Sequence, residues 1–406
     1  MTAGSTEYER VLARLIAARR FGVRLGLDRT RALLDRLDAP DRRLGRIIHV
    51  GGTNGKGSTV AMVAALARGA GLRVAAYTSP HLSCLRERVV IGNDMISEAA
   101  FCAAAARVHA AGGDELTFFE QVTAIAMVAI ADAGVDVTVL EVGLGGRFDA
   151  TNVVDAEVAA VTGIAIDHAA ILGDTVDAIA REKAGIFKPG RRAYVGRSGE
   201  PAAVPLLVEL ARAAGSDVRT IDAPWPGPLA LAGAHQRDNA ALAVALAGEL
   251  GVTATAALAS VAHPGRLERV GDVILDGAHN PRGAAALARA VPPGAVLVIA
   301  TSSDKDIAGL AAALAPAVAA VVATRYQQDR ALDPVAVAAA FHTPHVAADL
   351  TAALALARSL ARGAPVVVAG SLFLVGEARV LLLGAPADPV PANETFAEST
   401  EGALPA

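Results

Sequence analysis

Arg46-Ile47-Ile48-His49-Val50-Gly51-Gly52-Thr53-Asn54-Gly55-Lys56-Gly57-Ser58-Thr59 reads as a buried strand that runs into a glycine-rich turn and opens a helix. The apolar run 47–50 suits a parallel strand covered on both faces, and residues 59–66 continue at helical spacing. Glycines between them let the backbone fold around an anion, so that successive N–H groups and the helix start converge on phosphate oxygens. Lys56 then supplies a compact positive charge, with the Ser58 or Thr59 hydroxyl near a bound Mg²⁺. The strict phosphate-loop pattern fails at Val50 and at Gly57, which separates Lys56 from Ser58. A solvated lysine in an ordinary turn is the competing reading, and placement between strand and helix argues against it.

Outward from this loop, strands alternate with helices. Residues 74–77, 137–140, 158–164 and 192–195 read as short buried strands, and 98–111 and 119–133 as helices. Residues 5–38 look helical with a break at Phe21-Gly22-Val23. A second alternating set follows Pro264-Gly265-Arg266, with strands expected at 273–275, 295–300, 318–324 and 366–369. The expected fold is therefore α/β. A phosphate-loop NTPase-like domain with a mostly parallel sheet occupies 1–264, a smaller Rossmann-like α/β domain 265–385, and a disordered Pro/Ala/Glu/Ser/Thr tail 386–406.

A chain of 406 residues is long enough for two cores. Its net charge of −4 provides no basic footprint, which argues against nucleic acid or an acidic membrane as partner. Cys84 and Cys102 have no metal-ligand spacing and fit a reducing cytoplasm. Glu7, Glu9 and Arg10 lie where a signal peptide would be basic and then apolar, and the apolar stretch 122–131 is broken by Asp132 and Asp136 before spanning length.

Further polar groups stand at expected strand ends, where open sheets bind ligands. Glu141 follows the strand 137–140 and precedes the loop 143–147. Asp167-His168 follows another strand, and His168 could complete a metal site with Glu141 and Ser79, although Mg²⁺ prefers oxygen ligands and a lone histidine is more often structural. Lys183 reads as a solvated helical lysine, and Asp276-Gly277-Ala278-His279-Asn280-Pro281 as a second polar strand end or a helix cap.

Taken with Arg20-Phe21-Gly22, Thr78-Ser79-Pro80-His81-Leu82, Thr117-Phe118-Phe119-Glu120, Leu172-Gly173-Asp174-Thr175, Glu182-Lys183-Ala184-Gly185-Ile186, Asp304-Lys305-Asp306 and the stretch 370–377, these motifs make residues 7–380 resemble the folylpolyglutamate synthase/dihydrofolate synthase family of the Mur ligase superfamily. The resemblance implies a monomeric ligase that uses ATP and Mg²⁺, two ions with a potassium ion beside them, to join L-glutamate to dihydropteroate or a reduced folate. It implies phosphate contacts from Asn54, Gly55, Lys56, Gly57 and Ser58, and nucleotide contacts from Asn239, Arg266 and Asp276. Ser79, Glu141 and His168 become metal ligands, and Lys183 a carbamylated lysine acting in catalysis with Lys56 and His168. Thr117, Phe118, Phe119, Glu120, Phe148, Asp149 and Ala150 fall at the pterin site, with His279 and Ser371 near glutamate. Where the family commonly has a basic and an aromatic residue, this chain has Cys84 and Leu85. That departure, in a loop placed near the pterin, raises a second reading: a related ligase with another carboxylate substrate. A nucleotide-binding regulator without catalysis is disfavoured, because it has no chemical need for Lys56, Glu141, His168 and Lys183 together.

Overall fold

The apolar strand ahead of the glycine loop lies near the middle of the larger of two sheets. The computed structural model describes residues 6–22 and 24–389. The first sheet contains β1 (Arg46–Gly51), β2 (Val74–Tyr77), β3 (Val89–Ile91), β4 (Asp94–Met95), β5 (Val137–Glu141), β6 (Val158–Val161), β7 (Arg192–Val195) and β8 (Asp217–Thr220). Their order is β4-β3-β2-β5-β1-β6-β7-β8, parallel except for the β3 and β4 pairings. β1 sits between β5 and β6, with Val50 opposite Glu141, so the loop after β1 and the carboxylate ending β5 emerge side by side.

The second sheet, β12-β11-β13-β10-β9, is built from β9 (Glu268–Val270), β10 (Val273–Leu275), β11 (Val296–Ile299), β12 (Ala320–Ala323) and β13 (Val366–Ala369). Only β9 runs antiparallel. Pro264 and Gly265 lie between the two sheets.

Helices cover both faces of each sheet. The helix Lys56–Gly69 is wedged between the first sheet and the helix Ala234–Glu249, with Val60, Met62, Val63 and Leu66 almost wholly buried. The helix Phe118–Ala133 buries Val122, Ile125, Val128 and Ile130 on the other face, each contributing about 1.5–3 kcal/mol relative to exposure. With few aromatics, the cores are filled by Ala, Val, Leu and Ile.

Three details differ from expectation. β6 stops at Val161, where the sequence suggests a strand to 164, because Gly163 takes φ +158°; the Thr162 hydroxyl just before it donates to Asn54 O at 2.7 Å. The β3–β4 hairpin and β8 are not expected from the sequence, because they are short and carry no strong apolar alternation. Residues 386–389, expected in a disordered tail, are tied to the first domain; 390–406 lie outside the described residues. Pro386 O accepts from Ser83 Oγ at 2.8 Å, and Asp388 accepts from Leu85 N at 2.7 Å and from Tyr8 OH at 2.9 Å. Asp388→Ala strips both donors of their acceptor and lowers stability by about 1.5–3 kcal/mol, a fall in Tm of roughly 3–8 °C readable by calorimetry.

Candidate active site

The phosphate loop is held open by its neighbours. Gly52 has φ +134°, and a Cβ there would overlap the Thr162 hydroxyl; at Gly55, φ +89°, it would overlap the Asn239 amide. No larger residue fits either position without moving a neighbour. Thr53 bonds Ala165 through its hydroxyl, accepting from N at 3.0 Å and donating to O at 3.1 Å. The loop opens the helix Lys56–Gly69, whose first N–H groups point back into it. Lys56 Nζ donates to Thr53 O at 3.3 Å and lies 4.0 Å from Glu141 Oε1.

This loop lines a cleft of about 690 Å³ between the domains. All of the expected phosphate and nucleotide residues, Asn54, Gly55, Lys56, Gly57, Ser58, Asn239, Arg266 and Asp276, line it, as do Ser79, Glu141, His168, Lys183, His279 and Ser371. Asn239 is oriented by Ser198 Oγ, which donates at 2.5 Å, and by its own bond to Gln236, whose amide also donates to Ser58 Oγ at 3.1 Å. Asp276 is fixed by Leu267 N and Ala278 N, both at 2.9 Å. Ser371 caps the helix Leu372–Leu383 by accepting from Phe373 N at 3.2 Å.

The donor set fits Mg²⁺. Glu141 is buried, and burial raises its pKa against the opposing pull of Lys56; the Ser79 N–H donates to Oε2 at 3.2 Å. Among the described residues no group of three His, Cys, Asp or Glu side chains is set for a metal. Mg²⁺ is commonly held by one or two carboxylates with water and substrate phosphates, and Glu141 is a carboxylate beside the phosphate loop. His168 is kept neutral by burial, its pKa pushed down to about 3, so its ring can act as a ligand. Its Nε2, however, lies 3.5 Å from Lys305 Nζ, and a cation on that nitrogen requires Lys305 to move.

Asp167, which in sequence is half of a polar pair at a strand end, is a meeting point for both domains. It accepts from Lys305 Nζ at 2.8 Å and from Asn280 Nδ2 at 3.0 Å, with His279 Nε2 at 3.6 Å. Burial would raise its pKa, but His279 and Lys305 outweigh that and hold it well below the usual carboxylate range. Asn280 also donates to Asn54 Oδ1 at 3.1 Å, joining the second domain to the phosphate loop. Lys183, read as solvated, is buried instead, and burial followed by the Lys56 charge pushes its pKa down to about 7.

A narrower pocket is lined by Thr117, Phe118, Phe119, Glu120, Phe148, Asp149 and Ala150, all of the residues expected at the pterin, while His279 and Ser371, expected near glutamate, line the cleft. Gly143, Leu144 and Leu172 line both this pocket and the cleft, so the two meet there. Glu120 also has a structural job, since it closes a capping box with Thr117 and accepts from Arg29 at 3.2 Å. Cys84 and Leu85 are not among the pocket's lining residues. Leu85 is wholly buried in the core, and the Cys84 thiol packs 3.9 Å from Tyr8 OH. A third recess of about 390 Å³, with His235, Arg269 and Arg289 around Leu267 and Ile274, adjoins the cleft at His235 and Arg289.

Residues 50–196 match the Mur ligase middle domain and 265–372 the Mur ligase glutamate ligase domain. A solved structure of Mycobacterium tuberculosis folylpolyglutamate synthase complexed with ADP is similar at a TM-score of 0.85 and 33% identity, over 93% of this chain and 100% of that one. The chain belongs to the folylpolyglutamate synthase/dihydrofolate synthase family. A bifunctional family member from Yersinia pestis, complexed with AMPPNP and Mn ion, superposes at a TM-score of 0.84 with 32% identity, over 94% of this chain and 99% of that one. A probable bifunctional folylpolyglutamate synthase/dihydropteroate synthase of Haloferax volcanii is 37% identical over 92% of this chain, which spans about half (50%) of that relative's length. Family membership accounts for the order of the motifs. Asp167, Asn280 and Lys305 gain their meaning only from the folded contacts.

Proposed function

We propose that this protein is an ATP-dependent ligase that joins L-glutamate to the carboxylate of dihydropteroate or of a reduced folate. The observation that carries the reading is the junction of the two cavities at Gly143 and Leu144. A flat ring held beside Phe119 and Phe148 can extend its carboxylate end toward the phosphate loop. The third recess, with an apolar floor and a basic rim, suits the nucleotide base and ribose.

A carboxylate is a poor acylating agent. Its oxygen bonds to the γ-phosphorus as the bond to ADP breaks, and the glutamate amine then attacks the acyl carbon of the acyl phosphate, releasing phosphate. Lys56 stabilises charge on the transferring phosphoryl group, and the Asp167 contacts hold the domains together so that water is excluded. Glu141 with Ser79, and His168 with Lys183 as its carbamate, would hold two divalent ions, which supply charge neutralisation of the phosphates. The proposal needs no potassium ion. One chain supplies every residue named, which supports a monomeric enzyme.

The burial of Cys84 and Leu85 supports a folate acceptor over a changed carboxylate, because neither side chain lines the pocket. Phosphate release from MgATP and L-glutamate tests the choice, comparing dihydropteroate, a reduced folate and no acceptor. Release that requires a pterin acceptor is the outcome foreseen. Release with neither, from protein that still binds ADP, would move the assignment to another carboxylate.

A further inference from the structure

His49, Thr151 and Asp149 form a buried hydrogen-bonded chain that runs from β1 to the narrower pocket. His49 Nε2 lies 2.8 Å from Thr151 Oγ1, and both residues are wholly buried. The Thr151 hydroxyl donates to Asp149 Oδ1 at 2.5 Å, and the Thr151 N–H donates to the same oxygen at 3.0 Å. A hydroxyl has one proton, and here it is committed to Asp149. His49 Nε2 is therefore the protonated ring nitrogen and donates to the hydroxyl oxygen.

The tautomer has a consequence at the other nitrogen. Nδ1 is left as a bare acceptor, buried and without a hydrogen-bond partner. Burial, with the Lys188 charge nearby, keeps the ring neutral by pushing its pKa down to about 3. An apolar side chain at this position would avoid an orphaned buried acceptor, so stability alone gives no reason for histidine here. The reason lies at the far end of the chain of bonds. Asp149 lines the pocket, and its Oδ2 accepts from Leu144 N at 2.8 Å, tying it to the wall shared by pocket and cleft.

We propose that His49 is a positioning residue for acceptor binding: through Thr151 it fixes the Asp149 carboxylate at the pocket wall, from the strand that also carries the phosphate loop. This role rests on the reading that the pocket takes a pterin acceptor. Asp149 is held at Oδ1 by the Thr151 N–H and at Oδ2 by the Leu144 N–H, and the Thr151 hydroxyl adds a further bond at Oδ1. With Thr151 locked from behind by His49, it presents one orientation to the hydrogen-bond donors of a bound ring.

Three variants test it: His49→Leu removes the donor, His49→Gln returns an amide nitrogen near the place of Nε2, and Thr151→Val breaks the link without changing volume. Equilibrium binding of dihydropteroate is read by fluorescence, binding of a fluorescent ADP analogue in parallel, and thermal stability by calorimetry. His49→Leu and Thr151→Val should weaken dihydropteroate binding by about tenfold or more while ADP binding stays within about twofold, and His49→Gln should recover most of the loss. The His49→Leu protein should melt no lower than wild type, since it loses the orphaned nitrogen. Dihydropteroate binding unchanged in both broken-link variants, or a Gln variant no better than Leu, or ADP binding lost in proportion, would each overturn the role. Wild-type protein that binds ADP but not dihydropteroate would overturn the acceptor reading itself, and this role with it.

Discussion

Lys56→Ala lowers acceptor-dependent phosphate release by about 10²–10³-fold in a protein that still folds. The lysine lies at the start of the helix Lys56–Gly69 with its side chain only 16% exposed and 4.0 Å from the buried Glu141, so a modest fall in melting temperature accompanies the loss. On the proposed function, what is lost is the loop's one side-chain cation, which would stabilise the transferring phosphoryl group. A second effect separates this role from a general disturbance. Burial raises the pKa of Glu141, and the Lys56 ammonium is foremost among the groups that oppose the rise. Without that charge the carboxylate pKa climbs further. Because Glu141 works in its ionised form, residual activity should fall off at a higher pH than in wild type as the medium is acidified. A pH–rate profile whose acid limb stays in place would mean that Lys56 and Glu141 act independently.

Lys183 carries the second large effect. Burial brings its amine down to about pKa 7, so near neutrality a substantial fraction is uncharged and able to take up carbon dioxide as a carbamate. Activity should therefore rise with bicarbonate, increasing as pH passes upward through about 7, and decline below it as the amine is protonated. Lys183→Ala should lose about 10²-fold or more, and short carboxylates such as acetate should restore part of it by occupying the vacated space. Stability should rise in the same direction of pH. The folded pKa lies below the unfolded value, so charging the buried lysine costs stability fully below pH 7, and the cost is relieved as pH rises from about 7 toward 10.5. In carbonate-free buffer at pH 7, Lys183→Met should melt higher than wild type. Calorimetry and bicarbonate-dependent kinetics on the same preparations check both signs.

The parts of this site carried by contiguous residues were legible in the sequence. A strand, a glycine turn and a helix in succession need no tertiary knowledge, and Glu141 declares itself by ending the strand Val137-Thr138-Val139-Leu140, three of whose four residues are apolar. Contacts between distant residues were not legible. Lys305 reaches Asp167 from 138 positions away, and Asn280 reaches Asn54 from 226, and neither pairing leaves a periodic signal. Burial was also hidden where chemistry and position conflict. A lysine on a helix is ordinarily solvated, yet Lys183 is buried beside the cleft. The family resemblance places the loop of Cys84 and Leu85 near the pterin, but the short 3₁₀ turn Leu85–Arg88 places Leu85 in the core. Asp388 stands in a stretch whose composition suggests disorder, and only its bonds to Tyr8 and Leu85 reveal an anchor. In sequence His49 reads as one more residue of an apolar strand, and its link to Asp149 passes through a threonine 102 positions away.

The most direct measurement follows oxygen rather than rate. Dihydropteroate carrying a heavy-oxygen label in its carboxylate is incubated with the protein, MgATP and L-glutamate, and the released phosphate is analysed by mass spectrometry. A ligase that activates the acceptor as an acyl phosphate places one labelled oxygen in each phosphate formed with amide product. Amide product accompanied by unlabelled phosphate would contradict that chemistry, and the absence of both would contradict the acceptor.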